Sequence, residues 1–223
     1  MSFKVGVVIA SAGIGERLGK IDKAVLKLNN FPLFYYSFKV FEGIRNIEQI
    51  VLVLRRKNFK LAKTIINDSR LCLVEGGKER KDSVYNGLKA LREDISYVII
   101  HDGARPFLKR KLVLKVLKGL KKYSAVICAV SSKDTVKLGK KGFVIKTLNR
   151  DNIFLVQTPQ GFKRELILEA YSKFYNKDIF DDAQLIENFS KKVKIIEGDP
   201  LNIKITYPQD IILAKAILKE YEF

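Results

Sequence analysis

A chain of 223 residues with 42 Lys+Arg against 24 Asp+Glu, a formal charge of +18, and 47% apolar and 10% aromatic residues has a globular composition and excludes a disordered chain. No run of 18 apolar residues occurs, which excludes a membrane-spanning helix. One histidine and two cysteines leave no basis for a structural zinc site or a disulfide framework. One domain is the default at this length. The first apolar stretch, residues 5–10, is too short for a signal peptide, so a cytoplasmic location is expected.

Along the chain, strand-length runs rich in Val and Ile at 5–10, 49–54, 71–75, 97–101 and 125–130 predict buried strands. Cys72 and Cys128 fall inside two of these runs and are expected as buried free thiols. Between the runs, helical spacing predicts helices over 32–41, 58–67, 82–92 and 110–121; Val84, Leu88 and Leu91 share one face, as do Leu112, Val116 and Leu120. Strand–helix alternation with short connections implies an α/β fold built on a doubly wound, mostly parallel sheet. After residue 130 the pattern changes. Residues 134–147 alternate around Gly139, Lys140-Lys141 and Gly142, which predicts a hairpin. We expect it to form a projecting β-arm over 131–160 within a single domain, 1–223. A ribbon of this size needs a surface to pack on, such as a partner subunit. Helices over 164–174, 182–188 and 208–221, the last with Pro208 in its first turn, and a strand over 193–196 complete the chain.

The basic excess is scattered. Its longest clusters are Arg55-Arg56-Lys57, Lys109-Arg110-Lys111, Lys140-Lys141 and Lys191-Lys192, and no nucleic-acid-binding motif accompanies them. Nucleic acid is therefore not the expected partner, whereas small anionic substrates suit the charge.

Three segments could carry chemistry. Ala10-Ser11-Ala12-Gly13-Ile14-Gly15-Glu16-Arg17-Leu18-Gly19 follows the first strand. Its small residues let backbone N–H groups surround phosphate oxygens, although neither the dinucleotide fingerprint nor a Walker loop is present. Arg17 and Lys23 add cations where phosphate charge would develop; an ordinary Gly-rich turn is the plainer reading. Gly76-Gly77-Lys78-Glu79-Arg80-Lys81-Asp82-Ser83 precedes a helix. Asp82 or Ser83 could cap that helix, or the Gly76-Gly77 backbone and the Ser83 hydroxyl could read a base or ribose. His101-Asp102-Gly103-Ala104-Arg105-Pro106 ends the fourth strand, at the sheet edge where α/β folds bind ligands. Asp102 could hold Mg²⁺ bridging phosphates or pair with Arg105. His101 suits packing and hydrogen bonding better than base catalysis.

In this order the three segments resemble the 2-C-methyl-D-erythritol 4-phosphate cytidylyltransferase family, nucleotidyltransferases with a sugar-nucleotide-pyrophosphorylase-like fold. The resemblance continues through Asp134-Thr135-Val136-Lys137, Thr147-Leu148-Asn149-Arg150, Gln157-Thr158-Pro159-Gln160, Asp181-Asp182-Ala183 and Asn202-Ile203-Lys204-Ile205-Thr206, and covers nearly the whole chain. It implies attack of a polyol phosphate on the α-phosphorus of CTP, with Mg²⁺ or another divalent cation and loss of pyrophosphate. By the family pattern Arg17 and Lys23 stabilise the transition state, and Ser11, Ala12, Gly13 and Gly15 form the phosphate loop. Gly77, Lys78, Ser83 and Gly103 read cytosine and ribose. Asp102 carries the metal. Arg150 and Lys204 are the catalytic pair that positions the acceptor, supported by Asp102, Arg105 and Thr135. The resemblance also implies a homodimer with exchanged arms, so that Thr135 and Arg150 serve the neighbour's site. Three positions depart from the pattern. Asp22-Lys23-Ala24 replaces Pro-Lys-Gln with a spacing from Arg17 one residue short, which leaves Lys20 and Lys27 as alternative loop lysines. Gly103 replaces an alanine, and Lys78 stands at a position usually acidic. Two other readings stay open: a ribitol 5-phosphate cytidylyltransferase of the same fold, and a non-catalytic basic module that binds polyanions.

Overall fold

Each of the five apolar runs becomes a strand of one sheet in the computed structural model, which describes residues 3–15, 17, 21–189 and 191–220. These strands are β1 (Val5–Ala10), β2 (Ile47–Leu54), β3 (Leu71–Glu75), β4 (Tyr97–Asp102) and β5 (Ala125–Ser131). A separate ribbon pairs β6 (Val136–Lys140) with β7 (Phe143–Leu148), and the sheet is completed by β8 (Phe154–Lys163) and β9 (Lys194–Glu197). The order is β9-β5-β8-β4-β1-β2-β3. All neighbours are parallel except β8, which runs against both β4 and β5.

The pleat sorts the core. Val5, Val7 and Ile9 face Phe34 and Phe38 of α1 (Leu33–Glu42), with Val113 and Val116 of α4 (Arg110–Leu120) in the same cluster. Val8, on the opposite face, belongs with Val84 and Leu88 of α3 (Arg80–Lys89) and with Ile167 and Tyr171 of α5 (Arg164–Phe174). Successive side chains of a strand point to opposite faces, and here both faces are covered by helices. The short helices α2 (Phe59–Ile65) and α6 (Asp182–Glu187) flank this body. The last helix, α7 (Pro208–Glu220), packs Ala214 and Ile217 against Leu28, Leu33, Phe107 and Ile205. Among the described residues no helix is long and apolar enough to cross a membrane.

Three expectations are revised. First, α3 starts at Arg80 rather than Asp82, because Glu79 is the N-cap and Asp82 sits at the third helical position, its Oδ2 accepting the Glu79 N–H at 2.9 Å in a capping box. Second, β8 is a strand not expected from the pattern, and its apolar residues Phe154, Leu155 and Val156 lie at its exposed start. Its Gln157, Thr158 and Gln160 are buried, and the ladder shifts register between Gln157 and Gln160, across Pro159, which has no N–H to give. Third, the span 131–160 divides: the ribbon takes 136–148, and the chain is back in the central sheet from Phe154. Lys141 (φ 50°) and Gly142 (φ 84°) form the left-handed two-residue turn between β6 and β7. Leu138, Phe143, Val144 and Ile145 of the ribbon are exposed, Phe143 at 79%.

Candidate active site

The chain passes from β1 outward to β2 and β3, then returns to β4 on the other side of β1. That reversal makes the carboxyl ends of β1 and β4 a topological switch point, where open α/β sheets place their ligands. A cavity of about 680 Å³ opens there. Its walls are the loop after β1 (Ala10 to Ile14), the segment from Glu75 to Arg80, the end of β4 at Asp102, and Lys204 with Thr206 ahead of α7.

Close backbone approach holds the loops together. A Cβ on Gly76 would lie 2.1 Å from Ala12 Cβ, and one on Gly103 would lie 2.0 Å from Ser11 Oγ, so glycine lets both loops press against the β1 loop. The Ser83 hydroxyl accepts the Gly77 N–H and donates to Glu79 O, both at 3.1 Å, and so fixes the Gly76-Gly77 turn from inside.

Asp102 is the charged centre of the floor. Arg80 Nε meets its Oδ1 at 2.9 Å, Lys204 Nζ its Oδ2 at 2.9 Å, and Arg105 Nε lies 3.7 Å from Oδ2. Burial alone would raise the carboxyl pKa, but Arg80, Lys204 and Arg105 outweigh it and hold Asp102 well below the usual carboxylate range. Arg80 also reaches Asp182 Oδ2 at 2.8 Å, and Tyr171 donates to Asp182 Oδ1 at 2.6 Å. Behind Asp102 runs a directed set of bonds. Asp102 N–H donates to Thr158 Oγ1 at 3.0 Å, the Thr158 hydroxyl donates to His101 Nδ1 at 3.0 Å, and His101 Nε2 donates to Arg105 O at 3.3 Å. These directions are those of a neutral His101 protonated on Nε2, the form that burial of the ring favours.

Cations converge on the cleft. Arg17 Nη1 donates to Tyr207 Oη at 3.2 Å, with the guanidinium 5.4 Å from the Tyr207 ring centre. Lys23 Nζ donates to Ile205 O at 3.1 Å. Burial first, then Lys204 and Arg17, lower the Lys23 pKa from its ordinary value. The buried Asp22 carboxylate accepts the Ala24 N–H at 3.2 Å and takes Lys57 at 3.2 Å, which fixes the turn that presents Lys23. Lys27 is exposed and outside the cleft lining, and Lys20 lies outside the described residues.

The structure therefore brings Ser11, Ala12, Gly13, Arg17 and Lys23 to one cavity with Gly77, Lys78, Ser83, Asp102 and Lys204. Gly15, Gly103, Arg105, Thr135 and Arg150 are not in its lining. Gly103 faces Ser11, and Arg105 is 11% exposed with its Nη1 on Asn202 O at 2.8 Å, so each supports the wall from behind. Arg150 is exposed, with Nη1 on Lys133 O at 3.1 Å, and Thr135 is exposed beside the ribbon. Sequence reasoning missed Arg80, Asp182 and Tyr207. Arg80 sits in a charged stretch, Lys78-Glu79-Arg80-Lys81-Asp82, whose default is a solvated surface, and only the sheet brings it to two carboxylates.

Among the described residues no group of three or more His, Cys, Asp or Glu side chains could hold a metal ion. Asp102 is a lone carboxylate whose two oxygens already meet Arg80 and Lys204, yet a carboxylate has about four lone-pair sites. The donor set thus fits a hard cation that brings most of its oxygen ligands on a substrate's phosphates, and does not fit one held by the protein alone.

The family model described as IspD, 2-C-methyl-D-erythritol 4-phosphate cytidylyltransferase, matches residues 5–220. A relative of that name from Clostridium botulinum (strain 657 / Type Ba4) is 41% identical over 97% of this chain and 98% of its own. Another, from Alkaliphilus oremlandii (strain OhILAs), is 44% identical over 97% and 95%. The crystal structure of 4-diphosphocytidyl-2C-methyl-D-erythritol synthase from Anaerococcus prevotii DSM 20548 superposes with a TM-score of 0.89 at 34% identity, covering 97% of this chain and 96% of that one.

Proposed function

Since the chain belongs to the 2-C-methyl-D-erythritol 4-phosphate cytidylyltransferase family, we propose that the cleft at the carboxyl ends of β1 and β4 is where it carries out that chemistry. The enzyme is a CTP-dependent transferase of isoprenoid biosynthesis. It moves a cytidylyl group from CTP to 2-C-methyl-D-erythritol 4-phosphate, giving 4-diphosphocytidyl-2-C-methyl-D-erythritol and pyrophosphate. An acceptor phosphate oxygen forms the new bond to the α-phosphorus, the bond from that phosphorus to the β-phosphate oxygen breaks, and pyrophosphate leaves with the electron pair. Such a step needs positioning and charge stabilisation more than a protein nucleophile. One observation carries the assignment: Arg17, Lys23 and Lys204 line a single cavity whose near wall is a small-residue loop suited to phosphate oxygens.

Arg17 and Lys23 neutralise the triphosphate and the departing pyrophosphate. Lys204, paired with Asp102, holds the acceptor phosphate, and the Gly77 to Ser83 wall takes the base and ribose. Asp102 would be the one carboxylate to hold a divalent cation, Mg²⁺ by the family's chemistry, beside the substrate's phosphate oxygens, where the ion would screen negative charge that repels the incoming phosphate. Pyrophosphate release from CTP is expected with methylerythritol 4-phosphate and not with ribitol 5-phosphate. Release with ribitol 5-phosphate alone would move the acceptor assignment to the wall-polymer branch.

We further propose a homodimer in which the ribbon carries Thr135 and Arg150 to the partner's cleft. What supports this is that neither residue lines the cleft of its own chain, together with the exposed apolar side chains of Phe143, Val144 and Ile145, a patch of the kind that marks an interaction surface. Arg150→Ala and Arg17→Ala are each expected to be nearly inactive. An equal mixture after subunit exchange should recover about a quarter of wild-type activity, since half the two-fold dimers are hybrids with one intact site. No recovery despite verified exchange would rule out the shared site.

A further inference from the structure

Asp182 does not line the cleft, yet it is wholly buried at the start of α6 and both its oxygens are fixed: Oδ1 by the Tyr171 hydroxyl at 2.6 Å, Oδ2 by Arg80 Nη2 at 2.8 Å. Tyr171 is itself fully buried and stacked on Tyr85, ring centres 5.3 Å apart and planes 9° from parallel. Arg80 donates through Nε to Asp102 Oδ1 at 2.9 Å, and Asp102 offers Oδ2 to Lys204 at 2.9 Å. Core and cleft are thus joined through Tyr171, Asp182, Arg80, Asp102 and Lys204, each in contact with the next. The guanidinium is planar and its donors sit in a rigid fork, so the orientation of Asp182 is passed to Asp102 with little slack. A charge argument points the same way. Arg80 stands between two carboxylates; with one of them made neutral, its whole attraction falls on Asp102, in competition with Lys204 for the same carboxylate.

We propose that Asp182 is a positioning residue for the acceptor: by sharing Arg80 with Asp102, it leaves the outer oxygen of Asp102 to hold the Lys204 ammonium at the cleft wall. This rests on Lys204 binding the acceptor phosphate, and Lys204→Gln alone tests that reading through the acceptor KM. Asp182→Asn keeps size and shape and removes the charge. It is expected to raise the acceptor KM about tenfold and to leave the KM for CTP within about twofold, the size of effect seen between coupled polar groups. The deciding measurement is the double variant. Asp182 and Lys204 are not in contact, so independent effects would multiply. An effect passed to Lys204 instead adds nothing once Lys204 is glutamine. An Asp182→Asn defect that persists undiminished in the Lys204→Gln background, or one that raises both KM values alike, overturns the proposal. Should Lys204→Gln change a constant other than the acceptor KM, the acceptor reading fails while the coupling is judged on that constant. If Asp182→Asn does not fold, Tyr171→Phe decides, because it removes only the hydroxyl on Oδ1. The same selective rise in smaller measure supports the link, and a wild-type acceptor KM overturns it.

Discussion

Arg17→Ala is expected to lower kcat about 10²–10³-fold at saturating substrates, the loss typical of removing one preorganised group that meets developing charge. The magnitude follows from where Arg17 sits. It lines the cleft beside the phosphate loop, and its guanidinium is held by the Tyr207 hydroxyl and ring. Tyr207 in turn is anchored at the start of α7, where Asp210 Oδ2 accepts the Thr206 N–H at 2.7 Å and the Tyr207 N–H at 2.8 Å. The cation is therefore oriented before substrate arrives, and no reorganisation is needed during reaction. Arg17→Lys keeps the charge but loses the fork and the stacking on Tyr207, and should fall between. There is a second expected effect. Arg17 helps lower the Lys23 pKa, so its removal lets that pKa rise, and an alkaline limb of kcat/KM set by Lys23 should move to higher pH. Steady-state pyrophosphate release across pH measures both. An unchanged kcat in Arg17→Ala would remove it from the transition state.

Acid should weaken the fold well before the carboxylates titrate. His101 is wholly buried; burial is the chief cause that brings its pKa from 6.5 to about 4, with Asp102 opposing and Arg105 and Arg80 adding to the fall. In the neutral ring Nδ1 accepts from Thr158 and Nε2 donates to Arg105 O, so its hydrogen bonds are met without the charge that burial disfavours. Below pH 6.5 the unfolded chain binds a proton that the folded one refuses, so stability declines as pH falls from 6.5 to about 4. Between pH 7 and pH 5 this one group should cost about 2 kcal/mol. The depressed carboxyls Asp68, Asp82, Asp102 and Asp199 act in the same direction but in a lower pH window. Their stabilisation is fully present above the ordinary carboxylate range and is lost only below it. The interval from 6.5 to 4 therefore belongs to His101. Urea unfolding at pH 7 and pH 5 should show the loss in the wild type and little change in His101→Gln. Equal wild-type stability at the two values would mean that the ring carries its proton in the folded state.

How much of this was legible in the sequence depended on whether an element buries apolar or polar groups. The run at β1 ends where the strand ends, because Val and Ile leave one strong signal on a two-sided buried strand. The stretch of β8 from Gln157 to Phe162 is buried as deeply and gave none. Gln157, Thr158 and Gln160 lie in it, and each meets a partner remote in sequence: Gln157 Nε2 on Asp199 O, Thr158 on His101, Gln160 Nε2 on Asp181 Oδ2. The site divides in the same way. Glycines and cations next to strand ends marked the loops that form the cleft, since backbone approach and phosphate charge demand those residue types locally. The Arg80 bridge was hidden because its partners, Asp102 and Asp182, become neighbours only through the sheet and α6.

The single reversed strand has a consequence for how the ribbon of such a protein can change. The chain leaves β5 and re-enters β8 at one rung, Phe154 opposite Ser131, and the next residues are clasped by Ser132 N–H on Ile153 O at 3.0 Å. Everything between, the ribbon with Thr135 and Arg150, hangs from a closed stem at the substrate edge. Such a stem behaves as a cartridge socket. Whole hairpins of different length or chemistry can be exchanged distal to it without altering any strand of the sheet, while the cleft walls formed by the loops after β1, β3 and β4 are left as they stand.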